Sequence, residues 1–150
     1  MTRDLVLRPY AAADRDACLA IWRAASEVGH PFLTRTELDA DQVLVRDIYL
    51  SKATITLACD DEGPVGFIAL IDDFIGGLFV LPARHRQGVG HLLINAASRQ
   101  AGRLSVEVYA ENAKALRFYE ALGFLQTAAR TVDDQGRPYA LVRLEQPRNG

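Results

Sequence analysis

Apolar and polar residues change period along this chain in a regular order, and the changes mark out its elements. Leu5-Val6-Leu7-Arg8 reads as a first strand, ended by Pro9. From Ala13 or Asp14 the period lengthens. Ala17, Cys18, Ile21, Trp22 and Ala25 fall on one helical face, until Gly29 and Pro31 break it. A second helix is predicted from Thr36 to about Leu50, with Leu38, Val43, Leu44 and Ile48 as its apolar positions. Thr54 to Cys59 and Val65 to Ile71 are rich in β-branched residues and flank Asp60-Asp61-Glu62-Gly63-Pro64, so they predict a hairpin. Gly76 to Val80 makes a fourth strand, with Gly76-Gly77 marking a bulge or bend. Then come a helix opening at Gly88, a strand from Ser105 to Tyr109, and a helix from Ala113 to Leu122. Two last strands lie either side of Asp133-Asp134-Gln135-Gly136. The expected architecture is α/β (α+β): a mixed, mostly antiparallel sheet with helices on both faces, forming one domain over residues 1–150.

Composition narrows the function classes. Of 150 residues, 49% are apolar and 24% charged, which is ordinary for a globular enzyme-sized domain. A net charge of −2 argues against nucleic acid or an anionic membrane as the main partner. No apolar run approaches the ~20 residues that span a bilayer. Met1-Thr2-Arg3-Asp4 lacks the apolar core of a signal peptide, so a cytoplasmic location is expected. Cys18 and Cys59 stand apart in apolar contexts without metal-ligand spacing. They read as small buried hydrophobes, and no metal is expected.

The most informative stretch runs from Phe79 to Leu93: an apolar strand, a basic turn, then Gly88-Val89-Gly90 opening an amphipathic helix. The first amides of a helix have no intrahelical acceptor, and the helix dipole places positive charge at the same end. Gly88 and Gly90 lack Cβ atoms, so a phosphate can approach the backbone. Arg84 and Arg86 add positive charge, and a diphosphate-bearing ligand is the natural guest. A nucleotide P-loop is disfavoured, because His91-Leu92 follow Gly90 where Lys-Ser or Lys-Thr is needed. A dinucleotide fingerprint needs three glycines in another rhythm and an acid for the ribose.

A second segment lies just beyond, from Glu107 to Phe124. Asn112 is placed to cap a helix starting at Ala113, and Ala115, Leu116, Tyr119 and Leu122 make one apolar stripe. Gly123 sits where a helix-ending glycine belongs. In this order and separation, the two segments resemble the two halves of the acyl-CoA signature of the GNAT N-acetyltransferase superfamily. One half is Val-x-Pro, a basic turn and Gly-x-Gly; the other is Asn-x-x-Ala-x-x-x-Tyr-x-x-x-Gly-Phe. The likeness extends over most of the chain, through Ala20-Ile21-Trp22, the Gly29-His30-Pro31-Phe32-Leu33 loop, Val65-Gly66-Phe67 and the tail from Val132 to Tyr139. There is one departure. Members usually carry Arg or Gln three residues before the first glycine and often Gly two before it, where this chain has His85 and Arg86.

The resemblance implies a six- to seven-stranded sheet splayed between its fourth and fifth strands, with the pantetheine arm of acetyl-CoA against Leu78, Phe79 and Val80. The pyrophosphate would meet the turn and helix start formed by Arg84, His85, Arg86, Gln87, Gly88, Val89, Gly90 and His91. Asn112 would position the CoA chain or cap its helix. The expected reaction is direct transfer of acetyl from acetyl-CoA to a primary amine of a small molecule or peptide, with protein lysines and N-termini as alternatives. Amines are mostly protonated at pH 7, so a proton must leave before attack, and the departing thiolate benefits from a phenol-like donor. Tyr119 matches the family's general acid. Glu107, five residues before Asn112, is the first candidate base and His30 the second. His30, Phe32 and Tyr139 would line the acceptor pocket, and Asp72 and Asp73 could attract a cationic amine. A non-catalytic acyl-CoA sensor has no need of Tyr119 and a nearby carboxylate. A monomer or homodimer is expected.

Overall fold

The computed structural model of the chain describes residues 4–147; of the N-terminal segment read above, Met1 to Arg3 lie outside them. The elements run β1 (Val6–Pro9), α1 (Arg15–Gly29), α2 (Arg35–Leu44), α3 (Leu50–Lys52), β2 (Thr54–Asp60), β3 (Gly63–Ile71), β4 (Phe74–Val80), α4 (Val89–Ala101), β5 (Ser105–Tyr109), α5 (Ala113–Ala121), β6 (Leu125–Arg130) and β7 (Leu141–Glu145). A widened turn from Val45 to Tyr49 joins α2 to α3, so the predicted second helix is one interrupted helical stretch. Pro9 pairs with Thr56 as the last residue of β1, an edge strand where its missing N–H does no harm.

Seven strands form one sheet in the order β1-β2-β3-β4-β5-β7-β6. All neighbours are antiparallel except β4 and β5, which run parallel and pair only through Phe74 with Ser105 and Ile75 with Val106. Beyond those pairs the two strands part, and among the described residues one edge of β4 from Gly76 to Val80 has no strand partner. Gly76 is the extra residue of a bulge: Ala69 faces Gly77, and Leu70 faces Ile75. The bulge bends β4 where the separation begins.

Each face of the sheet buries its own apolar cluster. One packs Val89, Leu93, Ile94 and Ala97 of α4 and Tyr119 of α5 against Ile68, Leu70, Ile75, Val106 and Val108. The other packs Cys18, Ile21 and Trp22 of α1 and Leu38 of α2 against Ile55, Leu57 and Phe67. Both cysteines are buried and free. Among the described residues no helix is long and apolar enough to cross a membrane, and no group of His, Cys, Asp or Glu is arranged to hold a metal ion.

Candidate active site

The separation of β4 and β5 opens a cleft whose two ends carry different chemistry. At one end, α4 begins directly after the basic turn. Its first backbone bond runs from the Leu92 N–H to the Gly88 carbonyl at 3.1 Å, so the amides of Val89, Gly90 and His91 lie ahead of it with no acceptor within the helix. Gly88 adopts φ +81°, and a Cβ there would meet nothing within 4 Å. The backbone is therefore open to an anion at this point. Gly90 is different. A Cβ there would come within 3.0 Å of the Phe118 ring on α5, so this glycine serves helix packing as well as access.

The basic side chains of the turn are disposed unequally. Arg84 pairs with Asp60 at the end of β2, a carboxylate whose side chain is 1% exposed. His85 places Nε2 3.1 Å from the Val80 carbonyl, bracing the turn against the end of β4. Arg86 has φ +65°, a left-handed conformation that favours glycine. This gives a physical reason for the glycine that family members often carry there. An arginine in that region costs about 1–2 kcal/mol, partly offset by the flexibility a glycine adds to the unfolded chain. Arg86→Gly is therefore expected to raise stability by about 0.5–1 kcal/mol, read as a higher denaturant midpoint. An unchanged or lower midpoint would show that the turn carries no such strain.

α5 carries the phenol of Tyr119 on its buried face. Asn112 Oδ1 accepts from the Ala115 N–H at 3.2 Å and starts the helix as expected. Gly123 (φ +90°) ends it, with the Phe124 N–H returning to the Tyr119 carbonyl at 3.1 Å. Tyr119 is 5% exposed and packs edge-on against Phe118 and Phe124, in the same cluster as Leu78 and Val80 of β4. Burial raises the pKa of its phenol, so it keeps its proton at neutral pH. No described residue bonds to its hydroxyl. Phe79 points to the opposite face and packs on Phe67.

The other end of the cleft is aromatic. His30, at the C-terminal end of α1, lies 5.7 Å from Phe32 and 5.0 Å from Tyr109 between ring centroids; Phe32 lies 5.3 Å from Tyr139. The structure thus brings together the three residues predicted for the acceptor and adds Tyr109. Tyr109 stands two residues beyond Glu107 on the same face of β5, a period-two relation visible in the sequence but not used there. The rings pack against one another and form a wall. The loop that carries them touches α5, since a Cβ on Gly29 would lie 3.3 Å from Asn112 Nδ2.

Burial holds the His30 imidazole down at about 4, against an ordinary value near 6.5. Because the folded pKa is lower, the unfolded chain takes up the proton first. Stability is intact above about pH 6.5 and is lost as the pH falls towards 4. His30→Asn is expected to flatten that slope between pH 6.5 and 4 in denaturation series; an unchanged slope would place the titration elsewhere.

Glu107 is held by Arg130, whose Nε and Nη2 donate to its two oxygens at 3.0 and 3.1 Å. Arg130 also pairs with Asp134. Arg130 reaches Glu107 from β6 across β7, a contact that only the strand order makes. Asp72 and Asp73 occupy the β3–β4 turn, where the Ser105 N–H donates to the Asp73 carbonyl at 3.1 Å. They border Gln100 and Ala101 at the far end of α4, away from the aromatic wall.

A parallel β4–β5 pair that parts after two residues and a glycine-opened helix directly after β4 form the arrangement expected of an acyl-CoA-dependent acyltransferase. A family model described as the acetyltransferase (GNAT) domain matches residues 51–126, and the chain belongs to that family. It is an acetyl-CoA-dependent N-acetyltransferase. The chain is 35% identical to the peptidyl-lysine N-acetyltransferase YjaB of Salmonella typhimurium strain LT2, over 86% of this chain and 89% of that protein. It is 31% identical to the peptidyl-lysine N-acetyltransferase YiaC of Escherichia coli, over 79% and 82% of the two chains. The solution structure of apo-form YjaB from Escherichia coli superposes with a TM-score of 0.88 at 31% identity, covering 95% of this chain and 97% of that one.

Proposed function

We propose that the chain transfers the acetyl group of acetyl-CoA to the primary amine of a lysine side chain in a peptide or protein. The reading rests most heavily on the unpaired edge of β4 beside the buried phenol of Tyr119, with the α4 amides at one end and the His30 wall at the other. The peptidyl-lysine activity of YjaB and YiaC supports the peptide acceptor. So does the packing of Phe32, Tyr109 and Tyr139 against one another, which offers a surface for a long side chain in place of a closed pocket.

In this reading the pyrophosphate of acetyl-CoA binds the amides of Val89, Gly90 and His91, and Arg86 faces its phosphates. Arg84 and His85 shape the turn and do not touch the ligand. The pantetheine amides pair with the free edge of β4 near Leu78, Phe79 and Val80. The amine attacks the thioester carbonyl and gives a tetrahedral oxyanion. The proton of the attacking nitrogen leaves to His30 or Glu107, directly or through water; burial makes the His30 imidazolium costly, so His30 holds that proton only in passing. Glu107 can accept it while keeping its bonds to Arg130, because each carboxylate oxygen that accepts one N–H retains a second lone pair, and the same ion pair holds β6 against β5. As the C–S bond breaks, the Tyr119 hydroxyl donates its proton to the departing sulfur. The test mixes the protein, acetyl-CoA and a lysine-containing peptide and follows free thiol and acetyl-peptide together. Equal amounts of both are expected. Acetyl-CoA binding without either product would leave a sensor.

A further inference from the structure

We propose that Arg137 is a positioning residue for the acceptor, fixing the aromatic wall without touching the reacting atoms; this rests on the acetyl-transfer reading above. Arg137 lies in the segment between β6 and β7, which forms no ladder with the sheet and is ordered by Asp133. That carboxylate has a side chain 1% exposed, and its Oδ1 accepts from the N–H groups of Gln135 and Arg137 at 3.0 and 2.9 Å. Its Oδ2 accepts from the Tyr109 hydroxyl at 2.9 Å. The segment is therefore tied to β5 beside the cleft.

Arg137 makes the second tie. Its guanidinium donates to both oxygens of Asp41 on α2, at 3.0 and 2.9 Å, and lies 3.7 Å from Glu37 and 3.7 Å from Asp133. Two residues on, the Tyr139 hydroxyl donates to Glu37 Oε1 at 2.9 Å. α2 starts directly after the loop carrying His30 and Phe32, and Thr34 and Glu37 close its N-terminus by reciprocal bonds. The half of the wall on the α1–α2 loop and the half on the β6–β7 segment are thus held in register by one planar fork. Its geometry matters: a guanidinium satisfies both oxygens of Asp41 at once, as an ammonium cannot.

Removal of the guanidinium leaves the carboxylates of Asp41, Glu37 and Asp133 around an uncompensated, mostly buried point. Their repulsion pushes the β6–β7 segment off α2 and carries Tyr139 away from Phe32. The α4 amides, the β4 edge and Tyr119 make none of these bonds. The disturbance therefore falls on the acceptor and spares acetyl-CoA.

The experiment measures KM for a lysine-containing peptide and for acetyl-CoA separately. In Arg137→Ala, the peptide KM is expected to rise at least about tenfold, with kcat falling by a smaller factor and acetyl-CoA Kd unchanged. Arg137→Lys should recover only part of the loss. The double variant Arg137→Ala with Asp41→Asn should recover part of it, because one of the carboxylates left without the guanidinium is removed. A general loss of structure would raise both constants together and would not respond to the second substitution. An unchanged peptide KM in Arg137→Ala, or equal effects on both substrates without rescue by the double variant, overturns the proposal. If the alanine variant does not fold, the lysine variant and the double variant carry the same comparison. Failure of the wild-type protein to acetylate any lysine peptide while binding acetyl-CoA would bring down the functional reading, and the proposal with it. Activity in the wild type with no effect of Arg137 would sink the proposal alone.

Discussion

Replacing Tyr119 with Phe is expected to lower turnover at least about a hundredfold, while acetyl-CoA affinity stays within about twofold. The two halves of that expectation come from different physics. The ring lies among Phe118 and Phe124 with centroids 5.2 Å away in both cases, and a phenylalanine keeps those contacts. The hydroxyl has no bond to a described residue, so its removal leaves no partner stranded and costs the fold little. A buried phenol without a protein partner is instead available to a ligand atom. Its raised pKa keeps it protonated, as a donor to a leaving thiolate must be. A hundredfold loss corresponds to about 2.7 kcal/mol of transition-state stabilisation, within the range of one positioned proton donor. Steady-state assays with a lysine peptide and calorimetry with acetyl-CoA check both halves. Turnover within a fewfold of wild type would remove Tyr119 from the mechanism.

The second large effect is expected at Gly88. Gly88→Asp should weaken acetyl-CoA binding at least tenfold while leaving the fold intact, and Gly88→Asn should weaken it much less. Asp and Asn tolerate the left-handed conformation better than other side chains, and a Cβ at this position meets nothing. The two side chains have nearly the same shape, so their difference reports charge. A carboxylate about 4 Å from a phosphate charge costs about 4 kcal/mol at the effective dielectric of a protein surface, well above the roughly 1.4 kcal/mol of a tenfold loss. Calorimetric titration with acetyl-CoA measures it. Equal affinities in the two variants would mean that no anion binds at the start of α4. Gly90 is the poorer site for this experiment. Bulk there strikes Phe118 before it reaches any ligand, so lost binding would not separate a blocked site from displaced helices.

The sequence made most of the architecture legible because the signals there are local. Asn112 caps α5, Gly123 ends it, Gly76 marks the bulge, and Gly88 opens α4; each acts through bonds to residues a few places away. The open helix start of α4 was legible for the same reason, since a glycine-rich turn before an amphipathic helix leaves its first amides without an acceptor in the helix. Arg84 and Glu107 show where that kind of reasoning stops. Both looked available from their neighbours in the chain. Arg84 is paired with Asp60, twenty-four residues away, and Glu107 with Arg130, twenty-three residues away.

What the sequence determined by itself was therefore the set of elements, the free helix start, and the placement of a phenol on α5 behind it. The tertiary structure decided which charges remain free and which face one another. β7 inserts between β5 and β6, so Arg130 reaches across it to Glu107, and the β6–β7 segment swings over α2, so Arg137 meets Asp41 ninety-six residues away. Local patterns encode the period and ends of elements, because those depend on backbone bonds within a turn or two. Ion pairs depend on which elements the hydrophobic clusters bring together, and that is settled only when the whole sheet has formed.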